Sequence, residues 1–176
     1  MGARPMLFSV NSYWSFPDAK SVAYGQDYHR DVSHPHFCVL FIFLTDTDAH
    51  SGAHQYIRRT HTLDSMAEVL RENRGLDRAR EIFAMPGDGV GGDALYEELF
   101  GSLKETISGG AGTAFIEDVY ALHRGVPPET SPRLAAWARY SVFPVVPDIE
   151  KSARAILGDG YPKSERARYV LRGIIS

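Results

Sequence analysis

The chain has 176 residues, a net charge of −3 and an apolar share of 44%, proportions that exclude a disordered polypeptide and suit one domain with a real core. A pI near 6.1 gives no basic footprint for nucleic acid, and the longest apolar run, Phe37–Leu44, is too short to span a membrane. The lone cysteine, Cys38, excludes an internal disulfide. The start, MGARPMLFSV, has no signal-peptide core and carries Met6 where a myristoylation motif needs Ser or Thr, so a cytoplasmic location is expected.

Residues 6–16, MLFSVNSYWSF, are aromatic and β-prone and end at Pro17, which reads as a strand. Residues 22–31, VAYGQDYHRD, read as a second strand with a ragged pattern. Phe37–Leu44 is continuous apolar sequence, expected to be a strand covered on both faces with Cys38 as a small buried hydrophobe. TDTDAHSG then turns the chain and AHQYIRRTH returns it. Ser65-Met-Ala-Glu68 fits a capping box, with Met66, Val69 and Leu70 at helical spacing up to Gly75. A short second helix is expected over about 77–84. After MPGDGVGGD comes a third, with Leu95, Leu99, Leu103 and Ile107 on one stripe. The β pattern resumes in GTAFIEDVYALH and, past a Pro-rich turn, in RLAAWARYSVF; the tail from 149 is charged and begins with a helical pattern. Strands, then helices, then strands again indicate a β-sandwich or barrel with a helical excursion rather than βαβ units. We expect a single domain over 1–176 with the helical insert at about 62–108.

The chemistry concentrates in QDYHRDVSHPH, residues 26–36. On a strand, His29 and Asp31 point to one face and could hold one ion. Two histidines and a carboxylate make the facial triad of non-haem iron(II) oxygenases, which leaves positions open for substrate and dioxygen. HxD alone is common by chance, and the plain alternative is hydrogen-bonded surface or core residues. His123, at the end of GTAFIEDVYALH, is the best third ligand. RGVPPETSPR follows it, and a hairpin centred near Pro127-Pro128 would set Arg133 opposite His123 on the same face. A guanidinium there offers a bidentate fork to a carboxylate; the plain alternative is a salt bridge at a hairpin end.

Four stretches, QDYHRD, LFIFLTDTDAHSGAHQYIRRTH, GTAFIEDVYALHRG and the Arg of ETSPRLAAWARYS, together resemble the phytanoyl-CoA dioxygenase family of Fe(II)/2-oxoglutarate oxygenases, in order and spacing, over about residues 26–141. The resemblance implies a mainly β fold, a double-stranded β-helix (jelly-roll, cupin-like), with His29, Asp31 and His123 as catalytic iron ligands. It also implies Arg133 as partner of the distal 2-oxoglutarate carboxylate and Asn11 as a further contact to that co-substrate. The activity implied is hydroxylation of a small-molecule substrate with O2, releasing succinate and CO2; Asp31 in the ligand position favours hydroxylation over halogenation. Only 28 residues precede His29, fewer than the family usually carries there, and RRTH stands in place of the usual PGSH. The rival readings are a metal cupin of different chemistry and a shortened pseudoenzyme.

Other residues read more plainly. His34 and His36 belong at the pocket rim, His50 and His54 in an exposed turn, Asp118 in a structural role, and Trp14 and Trp137 in the aromatic core. GDGVGG fits a dinucleotide fingerprint by letter but follows no buried strand, and His29-Arg-Asp31 lacks the Asn and DFG of a kinase loop.

Overall fold

The structure, a computed structural model, describes residues 5–17, 25–32, 37–73, 75–83 and 92–142. Among the described residues, seven strands form two antiparallel sheets. The larger contains, in order, β1 (Met6–Ser15), β7 (Arg133–Ser141), β2 (Phe37–Phe43) and β5 (Ala114–Glu117). The smaller contains β4 (Lys104–Ile107), β3 (His54–Ile57) and β6 (His123–Gly125). From β2 onward the chain crosses repeatedly between the sheets, so the two close on each other as the expected jelly-roll, a double-stranded β-helix.

The helical insert lies between β3 and β4 and comprises α1 (Leu63–Glu72), a 3₁₀ turn at Leu76–Arg78, α2 (Ala79–Phe83) and α3 (Asp93–Phe100). Met66, Val69, Leu70, Tyr96, Leu99 and Phe100 bury one side of these helices against Ile57, Tyr28 and Leu122. At roughly 1.5–3 kcal/mol for each large apolar side chain fully removed from water, this cluster anchors the insert. A second cluster, Phe8, Phe37, Val39 and Val119, ties β1 and β2 of the larger sheet to the segment after β5. Among the described residues, no helix is long and apolar enough to cross a membrane.

Several local expectations change. The cap of α1 is Thr62, whose hydroxyl accepts from the Ser65 amide at 3.2 Å. The helix therefore starts three residues before the Ser65 box. Leu103 and Ile107 leave the α3 stripe: Gly101–Leu103 is a 3₁₀ turn, and Ile107 belongs to β4, paired with His54. In the expected strand over 22–31, residues 25–32 form a loop joined to β6 by the His29–His123 bridge and by the Gly125 amide, which donates to Gly25 O at 2.8 Å; Gly25, at φ +92°, turns the chain there. GTAFIEDVYALH is two strands rather than one. Asp118 breaks it, its side chain accepting from the Tyr120 amide at 3.1 Å and its carbonyl from the Ala121 amide at 3.0 Å, an Asx turn that suits its expected structural role. As a result β6 and β7 lie in different sheets and form no hairpin; Arg133 pairs in register with Ser15.

The Phe37–Leu44 run is fully covered on one face only. Phe37, Val39 and Phe43 are buried, while Leu40 and Ile42 are half-buried and Leu44 is exposed. The outward face of this sheet also exposes Val10, Trp14 and Ile116, so Trp14 is no core residue. Cys38 is half-buried, and burial pushes its thiol pKa up. His34 and His36, the GDGVGG stretch apart from Gly92, and the tail from 149 lie outside the described residues.

Candidate metal centre

The two histidines are set by main chain before side chains enter. The His29 amide donates to the His123 carbonyl at 3.0 Å and the His123 amide to the His29 carbonyl at 3.1 Å. Two residues on, the Asp31 amide donates to Val119 O at 2.9 Å. This pairing brings the imidazole centroids to 4.3 Å, and places ligand atoms of His29, Asp31 and His123 within 4.8 Å of one another. The irregular loop thus delivers the HxD pair to one face without being a strand.

The donor chemistry fits a divalent metal. Each imidazole Nδ1 lies 2.9 Å from the carbonyl two residues earlier, Asp27 O for His29 and Ala121 O for His123. A carbonyl only accepts, so each Nδ1 carries the proton and Nε2 the lone pair, the tautomer a metal needs. Burial pushes the His123 pKa down to about 4, so its ring is neutral at physiological pH. Asp31 is held by Arg139 of β7, whose Nη2 donates to Oδ2 at 3.3 Å.

The cavity beside these residues is floored by β7 and β2 and lined by Tyr13, Phe41, Phe43, Ala135, Trp137 and Arg133, among others. Trp137 both walls the cavity and packs against the cluster of Phe8, Phe37, Val39 and Val119. Arg133 reaches the cavity from the larger sheet, across from His123 on the smaller one. Its guanidinium donates to Gly52 O and, at 3.1 Å each, to the Tyr13 hydroxyl and Ser15 Oγ. It passes so close to Gly125 that a Cβ there would stand 3.0 Å from Nη2. Arg133 is only 3% exposed, yet no carboxylate pairs with it among the described residues. A buried charge without a counter-ion is costly, and an anionic ligand would relieve that cost.

Asn11 is not brought to the cavity. It is exposed, its amide donates to Ser9 Oγ at 2.6 Å, and Tyr13, two residues further along β1, lines the cavity instead. His50 is exposed as expected, against Glu129 at 3.0 Å. His54 is not: it is 5% exposed and lines the cavity. Alternation in β3 turns it inward, because strand pairing begins at His54 itself rather than after the turn. Arg58 and Arg59 pair with Glu105 and Glu72 on the surface, and His61 is exposed.

Behind the site, α3 grips both histidine-bearing segments. Asp93 accepts from the Tyr28 amide at 2.8 Å and from Arg124 Nη1 at 2.5 Å, the immediate neighbours of His29 and His123. Arg124 also lies over the Tyr28 ring, 4.2 Å from its centroid, and the Tyr28 hydroxyl donates to Glu97 at 3.0 Å. Asp93→Ala is expected to loosen both segments and weaken divalent-metal binding on the order of ten-fold, measured by metal titration of the metal-free protein. Unchanged affinity would show that the bridge alone sets the ligands.

No family model matches this chain, and no curated relative does. Solved structures of the same fold do. The non-heme alpha ketoglutarate dependent epimerase SnoN from nogalamycin biosynthesis matches with TM-score 0.53 and 18% identity, over 79% of this chain and 50% of that one. EvdMO1 matches with TM-score 0.52 and 16% identity, over 80% of this chain and 28% of that one. SnoN in complex with Fe3+, alpha ketoglutarate and nogalamycin RO matches with TM-score 0.50 and 16% identity, over 77% and 49%. The chain spans half or less of the length of these structures. At such identities the likeness establishes the fold.

Proposed function

We propose that this chain is an Fe(II)- and 2-oxoglutarate-dependent dioxygenase of the phytanoyl-CoA dioxygenase type that hydroxylates a small-molecule substrate. The observation that carries the reading is the pairing of two features in one cavity: three clustered metal donors, His29, Asp31 and His123, and the buried, counter-ion-free guanidinium of Arg133. The SnoN complex, with Fe3+ and alpha ketoglutarate on the same fold, supports it.

Iron(II) with 2-oxoglutarate, when bound, supplies the oxidising power to replace C–H by C–OH using O2, with release of succinate and CO2. The chain's own residues do the rest. His29 and His123 offer Nε2, Asp31 offers a carboxylate that Arg139 keeps turned toward them, and Arg133 takes the far carboxylate of the 2-oxo acid. Phe41, Phe43 and Trp137 form an apolar wall that limits water near the reacting carbon. SnoN is an epimerase, so epimerisation, in which a hydrogen is removed from one face of a carbon and one is returned on the other, is the second reading; incorporation of labelled oxygen from O2 into the product separates the two.

The test is an anaerobic titration of the Fe(II)-loaded protein with 2-oxoglutarate, followed by visible absorbance. A saturable charge-transfer band is the expected result. Tight iron binding with no band would overturn the 2-oxoglutarate reading in favour of a metal cupin of other chemistry, and failure to bind iron would favour a pseudoenzyme.

A further inference from the structure

Beside the three clustered donors stands a second buried pair. His54, on β3 of the smaller sheet, and Glu117, on β5 of the larger, are each 5% exposed, and His54 Nε2 lies 2.6 Å from Glu117 Oε2. The other carboxyl oxygen, Oε1, is 3.4 Å from His123 Nδ1. Glu117 therefore bridges the two imidazoles, whose centroids are 5.7 Å apart. The contact between Glu117 and His54 is short but poorly angled, and Nε2 and both carboxyl oxygens lack a proper hydrogen bond. His54 Nδ1 likewise finds no hydrogen-bond partner among the described residues. Buried polar atoms in this condition call for a polar partner.

The position of His54 says what that partner is. It lines the same cavity as Arg133 and the three donors. On β3 it pairs with Gly125, the residue over which the Arg133 guanidinium lies, and Gly52, two residues before it, accepts from Arg133. His54 thus stands between the guanidinium and the His123 ring. A short dicarboxylic 2-oxo acid reaching from Arg133 toward the metal donors would pass along it. Phe41 and Phe115 flank the ring at 4.8 and 5.1 Å between centroids, fixing its plane.

We propose that His54 is a further anchor of the 2-oxo acid, its Nδ1–H donating to the bound anion while Nε2 and Glu117 Oε2 share a single proton, and that Glu117 is the positioning residue that orients that ring. This rests on the function proposed above and deepens it. The experiment measures 2-oxoglutarate affinity in the Fe(II)-loaded protein, anaerobically, alongside iron affinity and melting temperature. His54→Leu is expected to raise the 2-oxoglutarate Kd roughly ten-fold or more, the loss of a hydrogen bond to a charged group, with iron affinity held. His54→Asn, which keeps a donor near Nδ1, recovers part of the loss and covers the case in which the leucine variant folds poorly. Glu117→Leu weakens binding in the same direction and Glu117→Gln restores it, a rescue that a packing role would not show. Unchanged 2-oxoglutarate affinity in a folded His54 variant overturns the proposal, as does a loss confined to iron affinity, which would assign the pair to His123 instead. Wild-type protein that binds iron but never 2-oxoglutarate overturns both this proposal and the function on which it rests.

Discussion

His123→Ala is expected to abolish usable iron binding, raising the iron Kd by more than about 100-fold, since removing even an outer partner of a metal ligand costs ten- to a hundred-fold. The charge-transfer band with 2-oxoglutarate should vanish with it. The fold should survive, because the bridge to His29 is made by main-chain groups that alanine retains. The alanine also removes a ring that is 3% exposed, so some thermal stability is lost to the cavity. Far-ultraviolet circular dichroism and a melting curve separate that cost from loss of the metal. A variant that keeps iron at wild-type affinity would show that His29 and Asp31 are completed by a donor other than His123.

Arg133→Leu is expected to separate two properties that usually fall together. Removing a bidentate guanidinium forfeits two charge-assisted hydrogen bonds to the 2-oxo acid, roughly 1.5–3 kcal/mol each, so 2-oxoglutarate affinity should fall on the order of a hundred-fold or more while iron affinity stays put. Stability should change little or rise. The wild-type protein buries this cation among neutral partners, Gly52 O, Tyr13 and Ser15, and exchanging an unpaired buried charge for an apolar side chain is often neutral or stabilising. Isothermal calorimetry and thermal melts on the same preparations read both quantities. A variant that binds 2-oxoglutarate normally would remove Arg133 from the site.

The residues that sequence identified best were those whose spacing already dictates proximity. His29 and Asp31 share a face at a separation of two in almost any extended backbone, and their ligand atoms lie together although the segment is a bridged loop and not a strand. His123 and Arg133 do meet at one cavity, but for a different reason from the hairpin expected of them. An Asx turn at Asp118 sends β6 into the smaller sheet, and the two residues face each other across the roll. Strand partners in a jelly-roll are fixed by long-range pairing, which local pattern does not report. His54 was misread for the same cause, since SGAH looks like turn until β4 and β6 are known to flank it. Glu117 carried one available signal, alternation along β5, which puts it on the same face as Phe115. Tyr13 and Arg139 were missed although alternation marks them, lying two residues from Asn11 and six from Arg133 on the same strand faces. The extension of α3 through Leu103 and Ile107 was coincidental periodicity, cut short at Gly101.

The histidine donors and the apolar wall come from different sheets. His123 and its bridged neighbour His29 sit at the smaller sheet, fastened from behind by Asp93 and Arg124, whereas Phe41, Phe43, Ala135 and Trp137 project from the larger one. Their side chains extend into the cavity from strands that carry neither histidine. The histidine donors and the apolar wall can therefore be altered independently, provided Arg133 and Arg139, which alternate with the wall positions on β7, are kept. A library confined to those four wall positions would remodel which molecules fit while leaving the ligand scaffold untouched, which makes this small roll a modular starting point for retargeting.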